Sequence, residues 1–332
     1  MSTREGNGRL HFFAEKTLAN DPAFLSIFAG LPDLEWIDDY QSFRRQTIVQ
    51  EKRCVVFARK RGAWLKPFHC YDNPKFTYLS LDIAEGCLFD CVYCYLQTYL
   101  NHGALVLFVD IDQLQGELRR LEGGNYWIST GLLSDSFLAE SFYPVMARIS
   151  QWIPLNSTLE LRSKSGEVHS LADPGIKRDS VVVAWSLNPQ PVAATYEYRA
   201  ASLECRLRAA REALDLGYRV AFHFDPVFHF DGWRDAYAKL FEEIRDFPPK
   251  RVAFLSIGLF RYMPDLGALI RKRFPFHPVL TQEFFPDADG KYHYFRAIRK
   301  EMYRNFCVWL EPWKDVPVFW SMEPDRRLRI ED

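Results

Sequence analysis

The chain has 332 residues, a formal net charge of −1, and a composition of 48% hydrophobic and 26% charged residues, which is ordinary for a folded protein. The near-zero charge excludes a global electrostatic attraction to nucleic acid, which needs a strongly basic chain. No stretch of sequence reaches the run of about 18 apolar residues that a membrane span needs. The first twenty residues lack the pattern of a signal peptide, and we expect a cytoplasmic protein with no membrane partner.

Patterns typical of strands and helices follow one another along most of the chain. The first clear strand pattern lies at residues 53–58, and a regular alternation begins at residue 76. The predicted strands span residues 76–83, 126–130, 158–163, 181–186, 219–224 and 252–257, and the predicted helices span residues 111–121, 142–152, 166–171, 202–216 and 233–247.

Strands separated by helices indicate parallel βαβ units with right-handed crossovers. Six such units predict an α/β fold, a partial (open) TIM-like (β/α)6 barrel, with an N-terminal extension and a C-terminal helical and aromatic segment. We expect residues 1–75 to form an N-terminal region packed on the core. Residues 76–332 would form the barrel together with a C-terminal segment that covers the substrate. The active site of such a barrel lies at the C-terminal ends of its strands.

Three of the seven cysteines lie within one short loop, in the sequence EGCLFDCVYCYLQT at residues 85–98. An odd number of cysteines without a secretion signal disfavours a disulfide scaffold. Thiolates ligate iron–sulfur clusters, and a [4Fe–4S] cube ordinarily takes four of them. Cys87, Cys91 and Cys94 would leave one iron open to S-adenosylmethionine (SAM), whose reduction yields a 5′-deoxyadenosyl radical.

Other interpretations of this loop remain open. A zinc site usually has a second pair of ligands, and only Cys70, well upstream, offers one. A ferredoxin-type cluster would need a C-x2-C-x2-C run, which the sequence lacks. Three buried structural cysteines are also possible. Tyr93, before the third cysteine, is either a surface on which the adenine of SAM packs or an ordinary aromatic lid.

With this loop, the chain resembles the spore photoproduct lyase family of the radical SAM superfamily, from about residue 50 to the C-terminus. The segments that carry the resemblance are KPFHC at residues 66–70, CYLQT at 94–98, RSK at 162–164, SLN at 186–188, GW at 232–233, GLFRY at 258–262 and FFPDADGKYHYF at 284–295. The resemblance implies a radical SAM barrel and a lyase that repairs a DNA photoproduct by hydrogen abstraction.

The resemblance also implies the residues of the site. Cys87, Cys91 and Cys94 would bind the cluster. The contacts to SAM would come from the residues that match the family's SAM-binding positions, together with the aromatic residue of the loop: Tyr93, Ser134, Lys164, Ser186 and Asn188. The partners would be lesion-containing DNA or another nucleotide substrate, and an external one-electron reductant such as flavodoxin or ferredoxin.

The chain departs from the family at two places. In the family, a cysteine just before the serine that follows the second strand donates a hydrogen atom to the product radical, and the matching position here is Leu132. The basic hairpin that the family wedges into DNA is shortened and rich in acidic residues, within residues 278–295. Tyr95, beside the cluster loop, resembles a tyrosine of the family's radical relay and is our candidate catalytic residue.

Three functions therefore remain open at the level of sequence. The first is a radical SAM lyase that acts on a DNA lesion. The second is a radical SAM enzyme that acts on a different substrate, which the departure at Leu132 favours. The third is a non-catalytic iron–sulfur protein that binds nucleic acid.

Overall fold

The computed structural model describes residues 9–28, 30–31, 33–68 and 76–323. Its strands are β1 (His11–Glu15), β2 (Glu35–Ile37), β3 (Cys54–Ala58), β4 (Leu65–Pro67), β5 (Thr77–Leu81), β6 (Ala84–Glu85), β7 (Asp90–Cys91), β8 (Leu105–Phe108), β9 (Tyr126–Ser129), β10 (Thr158–Ser163), β11 (Val181–Ser186), β12 (Glu197–Tyr198), β13 (Arg219–Val227), β14 (Val252–Leu259), β15 (Arg261–Tyr262), β16 (Phe284–Pro286), β17 (Tyr292–Tyr294) and β18 (Val318–Trp320). Its α-helices are α1 (Pro22–Phe28), α2 (Ile48–Glu51), α3 (Leu96–Tyr99), α4 (Asp112–Arg119), α5 (Ser136–Phe142), α6 (Met146–Trp152), α7 (Gln190–Tyr196), α8 (Leu203–Asp215), α9 (Trp233–Glu243), α10 (Pro264–Arg273) and α11 (Arg296–Trp309).

The main sheet has eight strands in the order β18-β14-β13-β11-β10-β9-β5-β4. The six strands predicted from residue 76 onward are neighbours in chain order and parallel to one another. This arrangement confirms the predicted open (β/α)6 barrel. β18 adds a further parallel strand at one edge, and β4 closes the other edge in antiparallel pairing.

A second, five-stranded sheet has the order β2-β1-β3-β8-β6. The predicted strand at residues 53–58 is its central strand, β3, which pairs with β1 on one side and β8 on the other. Strands from both sides of residue 75 therefore share both sheets. The boundary at that residue stays a prediction, and residues 69–75, including Cys70, lie outside the described residues.

The predicted helix at residues 142–152 is wrong at its start. α5 ends at Phe142 and α6 begins at Met146. Tyr143, between them, has an extended backbone (φ −140°, ψ 92°). Pro144 follows it in the sequence, and a proline ring disfavours helical geometry in the residue before it. The predicted helix at residues 166–171 is only a short 3₁₀ helix, at His169–Ala172.

The two faces of the main sheet differ in what they bury. The larger apolar cluster combines one face with the helices that cover it. A smaller cluster on the other face contains Tyr78, Trp127 and Phe254, each near the N-terminal end of its strand. These rings close that end of the barrel interior and leave the C-terminal ends to polar side chains. Within the described ranges, no helix is both long enough and apolar enough to cross a membrane.

Candidate cluster and cofactor site

The cysteine loop begins at a glycine that no other residue can replace without strain. Gly86 has a φ of +78°, and a Cβ atom there would lie 1.9 Å from the carbonyl oxygen of Ala104. Its N–H donates to the carbonyl of Leu133 at 2.8 Å, in the segment that follows β9. The start of the cysteine loop is therefore hydrogen-bonded to the next βα loop of the barrel.

Backbone contacts fix the middle of the loop. Cys91 lies opposite Glu197 in the short antiparallel pair of β7 and β12. The Val92 N–H donates to the carbonyl of Tyr196 at 2.8 Å. The side-chain amide of Gln97 donates to the carbonyls of Cys91 and Val92 at 3.2 and 2.9 Å.

Two basic side chains also hold the loop. The Lys52 ammonium donates to the carbonyls of Cys87 and Phe89 at 2.7 and 3.0 Å. One nitrogen of the Arg273 guanidinium, Nη2, donates to both carboxylate oxygens of Asp90 at 3.1 and 3.0 Å. These two contacts come from residues more than two hundred positions apart in the chain. The conformation of the loop therefore depends on the tertiary structure.

The thiols of the loop are largely buried and interact electrostatically. Burial raises the pKa of Cys87 to about 12, against an opposing effect of the Lys52 ammonium. Burial also raises the pKa of Cys91 well above its usual range, and the charges of Cys94 and Cys87 add to that effect. Thiolates in such a site need cationic iron to compensate their charge, which fits a cluster.

In the part of the chain that the structure describes, no three His, Cys, Asp or Glu side chains converge on a point that a single metal ion would occupy. A single-ion zinc site requires such convergence. A [4Fe–4S] cube does not, because each thiolate binds a different iron atom. Three cysteines on one loop are the donor type that iron–sulfur clusters use.

Ser134 offers a free hydroxyl at the predicted SAM position. Its Oγ is buried and has no hydrogen-bond partner within the described chain. Asp135, the next residue, caps α5 through the N–H of Leu138 and accepts hydrogen bonds from the Ser163 hydroxyl and the Lys164 N–H. Asp135 thus joins the ends of β9 and β10 and brings Ser134 and Lys164 to one loop cluster.

Lys164 and Tyr93 lie together, as a shared cofactor site requires. The Lys164 ammonium is 5.7 Å from the centroid of the Tyr93 ring. The Tyr93 ring is buried and packs against Phe228 at 5.1 Å. Its hydroxyl donates to the Glu197 carboxylate. The ring is therefore fixed both at its face and at its hydroxyl.

Glu197 is a buried anion that sequence reasoning missed. It accepts from Tyr93 and from the Asn188 amide at 3.0 Å, and it pairs with Arg206 at 2.5 Å. Burial raises the pKa of Glu197, but Arg206 and Lys164 outweigh that effect and hold it below the usual range. No local pattern marks this residue, because its partners come from three different elements.

Two predicted SAM contacts, Ser186 and Asn188, lie at the end of β11. The Asn188 carbonyl oxygen accepts from the Tyr237 hydroxyl at 2.9 Å, so both ends of its amide already have protein partners. The Ser186 backbone carbonyl accepts from Arg206 at 2.9 Å. The polar groups at this strand end form one network with Glu197.

Tyr95 and Leu132 meet at the other side of the loop. The Tyr95 hydroxyl donates to the backbone carbonyl of Leu132. The Tyr95 side chain is 48% exposed and packs edge-on against Tyr99 at 5.9 Å. A phenolic O–H therefore lies beside Leu132, the position that the sequence resemblance matches to the family's cysteine.

The barrel interior holds a buried polar network that the sequence did not reveal. Glu160 contacts Arg162 at 2.9 Å, His223 at 2.9 Å and the indole N–H of Trp127 at 2.7 Å. Burial raises the pKa of Glu160, but Arg162 and His223 reverse that effect and hold it far below its usual range. Burial lowers the pKa of His223. This network adjoins the aromatic cluster of the barrel interior, since Trp127 belongs to both and His223 packs against Phe254.

The acidic side chains in the C-terminal hairpin of β16 and β17 form ion pairs with basic side chains of the same chain. Asp289 pairs with Lys291 at 3.2 Å and with His293 at 3.0 Å, and Asp287 pairs with Arg299 at 3.1 Å. Both acidic side chains of the turn are thus compensated within the chain. Phe285 and Phe295 pack together at 5.3 Å and are each about half exposed.

A surface cavity of about 370 Å³ lies beside the segment that pairs with the cysteine loop. It is lined by His229, Gln282 and Thr195 among others, and none of the three cysteines borders it. The histidine is already engaged, since its Nδ1 lies 3.0 Å from the side-chain oxygen of Gln282. The cavity adjoins the loop through Tyr196, whose carbonyl accepts from the Val92 N–H.

A family model described as spore photoproduct lyase matches residues 71–296. The chain belongs to the spore photoproduct lyase family. Family membership makes it a radical SAM enzyme of the lyase type and confirms the predicted resemblance. It also removes the non-catalytic alternative, which the bare cysteine spacing had left open.

Three curated spore photoproduct lyases show the same relationship. The protein from Geobacillus sp. is 25% identical over 294 residues, which cover 83% of this chain and 79% of the relative. The protein from Clostridium acetobutylicum is 27% identical over 211 residues, covering 61% of this chain and 62% of the relative. The protein from Bacillus subtilis is 23% identical over 206 residues, covering 59% and 60%.

Solved structures of spore photoproduct lyases show the same fold. One, complexed with dinucleoside spore photoproduct, has a TM-score of 0.80 at 19% identity and covers 94% of this chain and 98% of its own. Another, a variant with bound AdoMet (SAM) and dinucleoside spore photoproduct, has a TM-score of 0.80 at 18% identity, with the same coverage.

Proposed function

We propose that this protein binds a [4Fe–4S] cluster through Cys87, Cys91 and Cys94, binds SAM beside it, and repairs a photoproduct in DNA. The observation that carries the proposal is the geometry of the loop. Its buried thiols are fixed at the C-terminal ends of the barrel strands, against the βα loop that holds the unpartnered Ser134 hydroxyl. The relative solved with AdoMet and dinucleoside spore photoproduct supports the choice of cofactor and substrate.

The bound cluster and SAM supply a one-electron cleavage that yields methionine and a 5′-deoxyadenosyl radical. The chain's residues orient that reaction. The Lys164 ammonium pairs with the SAM carboxylate, and the Ser134 and Ser186 hydroxyls donate to it. Asn188 contributes its second amide N–H, since the first goes to Glu197. The Tyr93 ring packs against the adenine.

Tyr95 is the proposed hydrogen donor, because Leu132 has no S–H. Homolysis of the Tyr95 O–H bond gives a hydrogen atom to the product radical and leaves a phenoxyl radical. One electron from an external reductant, such as flavodoxin or ferredoxin, and one proton then restore the phenol. In this scheme SAM is consumed at each turnover.

The remaining parts of the molecule serve the substrate. The exposed pair of Phe285 and Phe295 on the hairpin offers an aromatic surface on which bases stack. We assign residues 76–332 to the catalytic barrel with its substrate-covering C-terminal segment, and residues 1–75 to a supporting region. We assign the reaction to the cytoplasm, because the proposed substrate is DNA and the proposed reductant is flavodoxin or ferredoxin.

A second candidate keeps the same cofactor chemistry and changes the substrate. It is favoured by Leu132, which the resemblance matches to the hydrogen-donor cysteine of the family. The substrate would then be a modified nucleotide, an RNA or a small metabolite. Tyr95 would serve the same role in that reaction, since its position depends on the loop and not on the substrate.

Anaerobic reconstitution, followed by dithionite reduction with SAM and ultraviolet-irradiated DNA, tests the proposal. We expect the electron paramagnetic resonance signal of a reduced [4Fe–4S] cluster, release of methionine and 5′-deoxyadenosine, and recovery of thymine from the lesion. A Cys91→Ala variant provides the matched control and should show none of the three. SAM cleavage without repair of any DNA lesion would favour the second candidate, and failure to cleave SAM would reject both.

A further inference from the structure

Lys52 reaches the cysteine loop from outside the segment that the family model matches. It follows α2 in the N-terminal region, whereas the match covers residues 71–296. Its side chain is almost fully buried, with the residue only 3% exposed. The ammonium ends between two backbone carbonyls of the loop, those of Cys87 at 2.7 Å and Phe89 at 3.0 Å.

The position of Lys52 is set by the local structure on both sides. A capping box formed by Thr47 and Gln50 begins α2, which is a single turn that delivers Lys52 at its end. The Lys52 backbone carbonyl accepts from the Arg199 guanidinium at 3.0 Å. The backbone of Lys52 is therefore fixed, and its side chain is oriented toward the loop and not toward solvent.

The buried Lys52 charge has no carboxylate partner among the described residues. The other buried cations near the loop do have one: Arg206 pairs with Glu197 at 2.5 Å, and Arg273 pairs with Asp90 at 3.0 Å. A buried ammonium without an anion nearby is unfavourable, and proteins normally compensate it. Lys52 also acts electrostatically on the Cys87 thiol, against the effect of burial.

We infer that Lys52 is the built-in counter-charge of the cluster and makes its one-electron reduction easier. This inference rests on the proposed function. Three thiolates and the cluster together carry negative charge, and reduction adds one more. A fixed positive charge beside the loop stabilises the reduced form more than the oxidised form, and so raises the midpoint potential. Lys52 is a positioning residue, because it acts through the cluster and not on the substrate.

A redox titration followed by electron paramagnetic resonance tests the inference on the reconstituted full-length protein. Lys52→Met removes the charge and keeps the length of the side chain. Lys52→Gln removes the charge and keeps N–H donors for the loop carbonyls. We expect both variants to have a more negative midpoint potential than the parent, and Lys52→Arg to stay near it. If one neutral variant fails to hold a cluster, the other still gives the measurement.

Gln97→Met is the matched control. Gln97 also donates to two carbonyls of the same loop, those of Cys91 and Val92, but carries no charge. We expect its midpoint potential to stay near that of the parent. An unchanged potential in the neutral Lys52 variants, or an equal shift in Gln97→Met, would overturn the inference while the parent still binds a cluster and cleaves SAM. A parent chain that binds no cluster would instead reject the proposed function.

Discussion

Gly86 shows how much one backbone position contributes to the cysteine loop. Its φ is +78°, and a methyl group there would overlap the carbonyl of Ala104. We expect Gly86→Ala to lower the free energy of unfolding by more than about 1 kcal/mol and to reduce the iron bound after reconstitution. Urea denaturation and iron analysis measure the two effects.

Gly62 provides the control for that substitution. It has nearly the same φ, +77°, but a Cβ atom there would meet nothing within 4 Å. Gly62→Ala should therefore show only the cost of the left-handed conformation, about 1 kcal/mol, with full iron content. Equal iron loss in both variants would argue against the steric explanation.

Tyr95 can be tested separately from the cofactor chemistry. In Tyr95→Phe the hydroxyl is lost, but the ring remains beside the loop. We expect release of 5′-deoxyadenosine to persist while the finished product no longer forms, because the product radical lacks a hydrogen donor. Tyr99→Phe, in the ring that packs against Tyr95, is the control and should keep both activities. Normal product formation in Tyr95→Phe would remove it from the catalytic role.

At the scale of single residues, the sequence was informative where chemistry has a local pattern. The spacing of Cys87, Cys91 and Cys94 is such a pattern, and the structure places all three on one fixed loop. Lys52 and Glu197 escaped prediction because their roles depend on partners far away in the chain. The fold brings Lys52 and Glu197 to the loop from distant parts of the chain. No local periodicity in the sequence indicates that they meet there.

Among the elements, α8 and β12 are joined by a buried ion pair. Arg206 and Glu197 are both almost fully buried and lie 2.5 Å apart. We expect Arg206→Met to lower the free energy of unfolding by about 3–5 kcal/mol, since Glu197 then stays buried without its cation. Urea denaturation measures the loss. The double variant with Glu197→Gln should recover part of it, and no recovery would mean that the loss reflects packing alone.

The hairpin of β16 and β17 is the element to test for nucleic-acid binding. We expect Phe285→Ala to weaken binding to lesion-containing DNA by about 1–3 kcal/mol, the usual contribution of stacking on a base. Fluorescence anisotropy with a labelled duplex measures it. Phe276→Ala is a suitable control, because Phe276 is 99% exposed but lies outside the hairpin. Equal affinity of the Phe285 variant and the parent would exclude the hairpin from the DNA surface.

Prediction of the elements depended on length and context. The bounds of β10 and β11 agree with the sequence pattern: β11 (VVVAWS) is an almost continuous apolar run, and β10 (TLELRS) alternates leucines with polar residues. Only β3 of the five-stranded sheet was predicted from the sequence. The other strands are short, and they are stabilised by pairing with strands that are distant in the chain. The break between α5 and α6 follows from Pro144, a signal that is present in the sequence.

For the molecule as a whole, Glu140 predicts a dependence of stability on pH. Burial raises the pKa of this carboxyl to about 7, although it accepts hydrogen bonds from the N–H groups of Val145 and Met146. A raised pKa means that the folded state prefers the protonated acid. Its contribution is therefore present below the unfolded pKa and is lost as the pH rises to about 7.

We expect the parent to lose about 3 kcal/mol relative to Glu140→Gln between pH 4.5 and pH 7. Urea denaturation across this range measures the difference. Glu122→Gln, at an exposed position, should follow the parent at every pH. Parallel curves for the parent and Glu140→Gln would show that the carboxyl does not change its charge in this window.

The main sheet remains an arc, because its edge strands, β18 and β4, do not pair with each other in the part of the chain that the structure describes. A closed cylinder admits material only through its end, whereas an arc has no sheet pairing along one flank. A site on such an arc can receive one stretch from the middle of a long polymer without threading a terminus. A covalently closed circle of DNA should therefore serve this enzyme as well as a linear fragment.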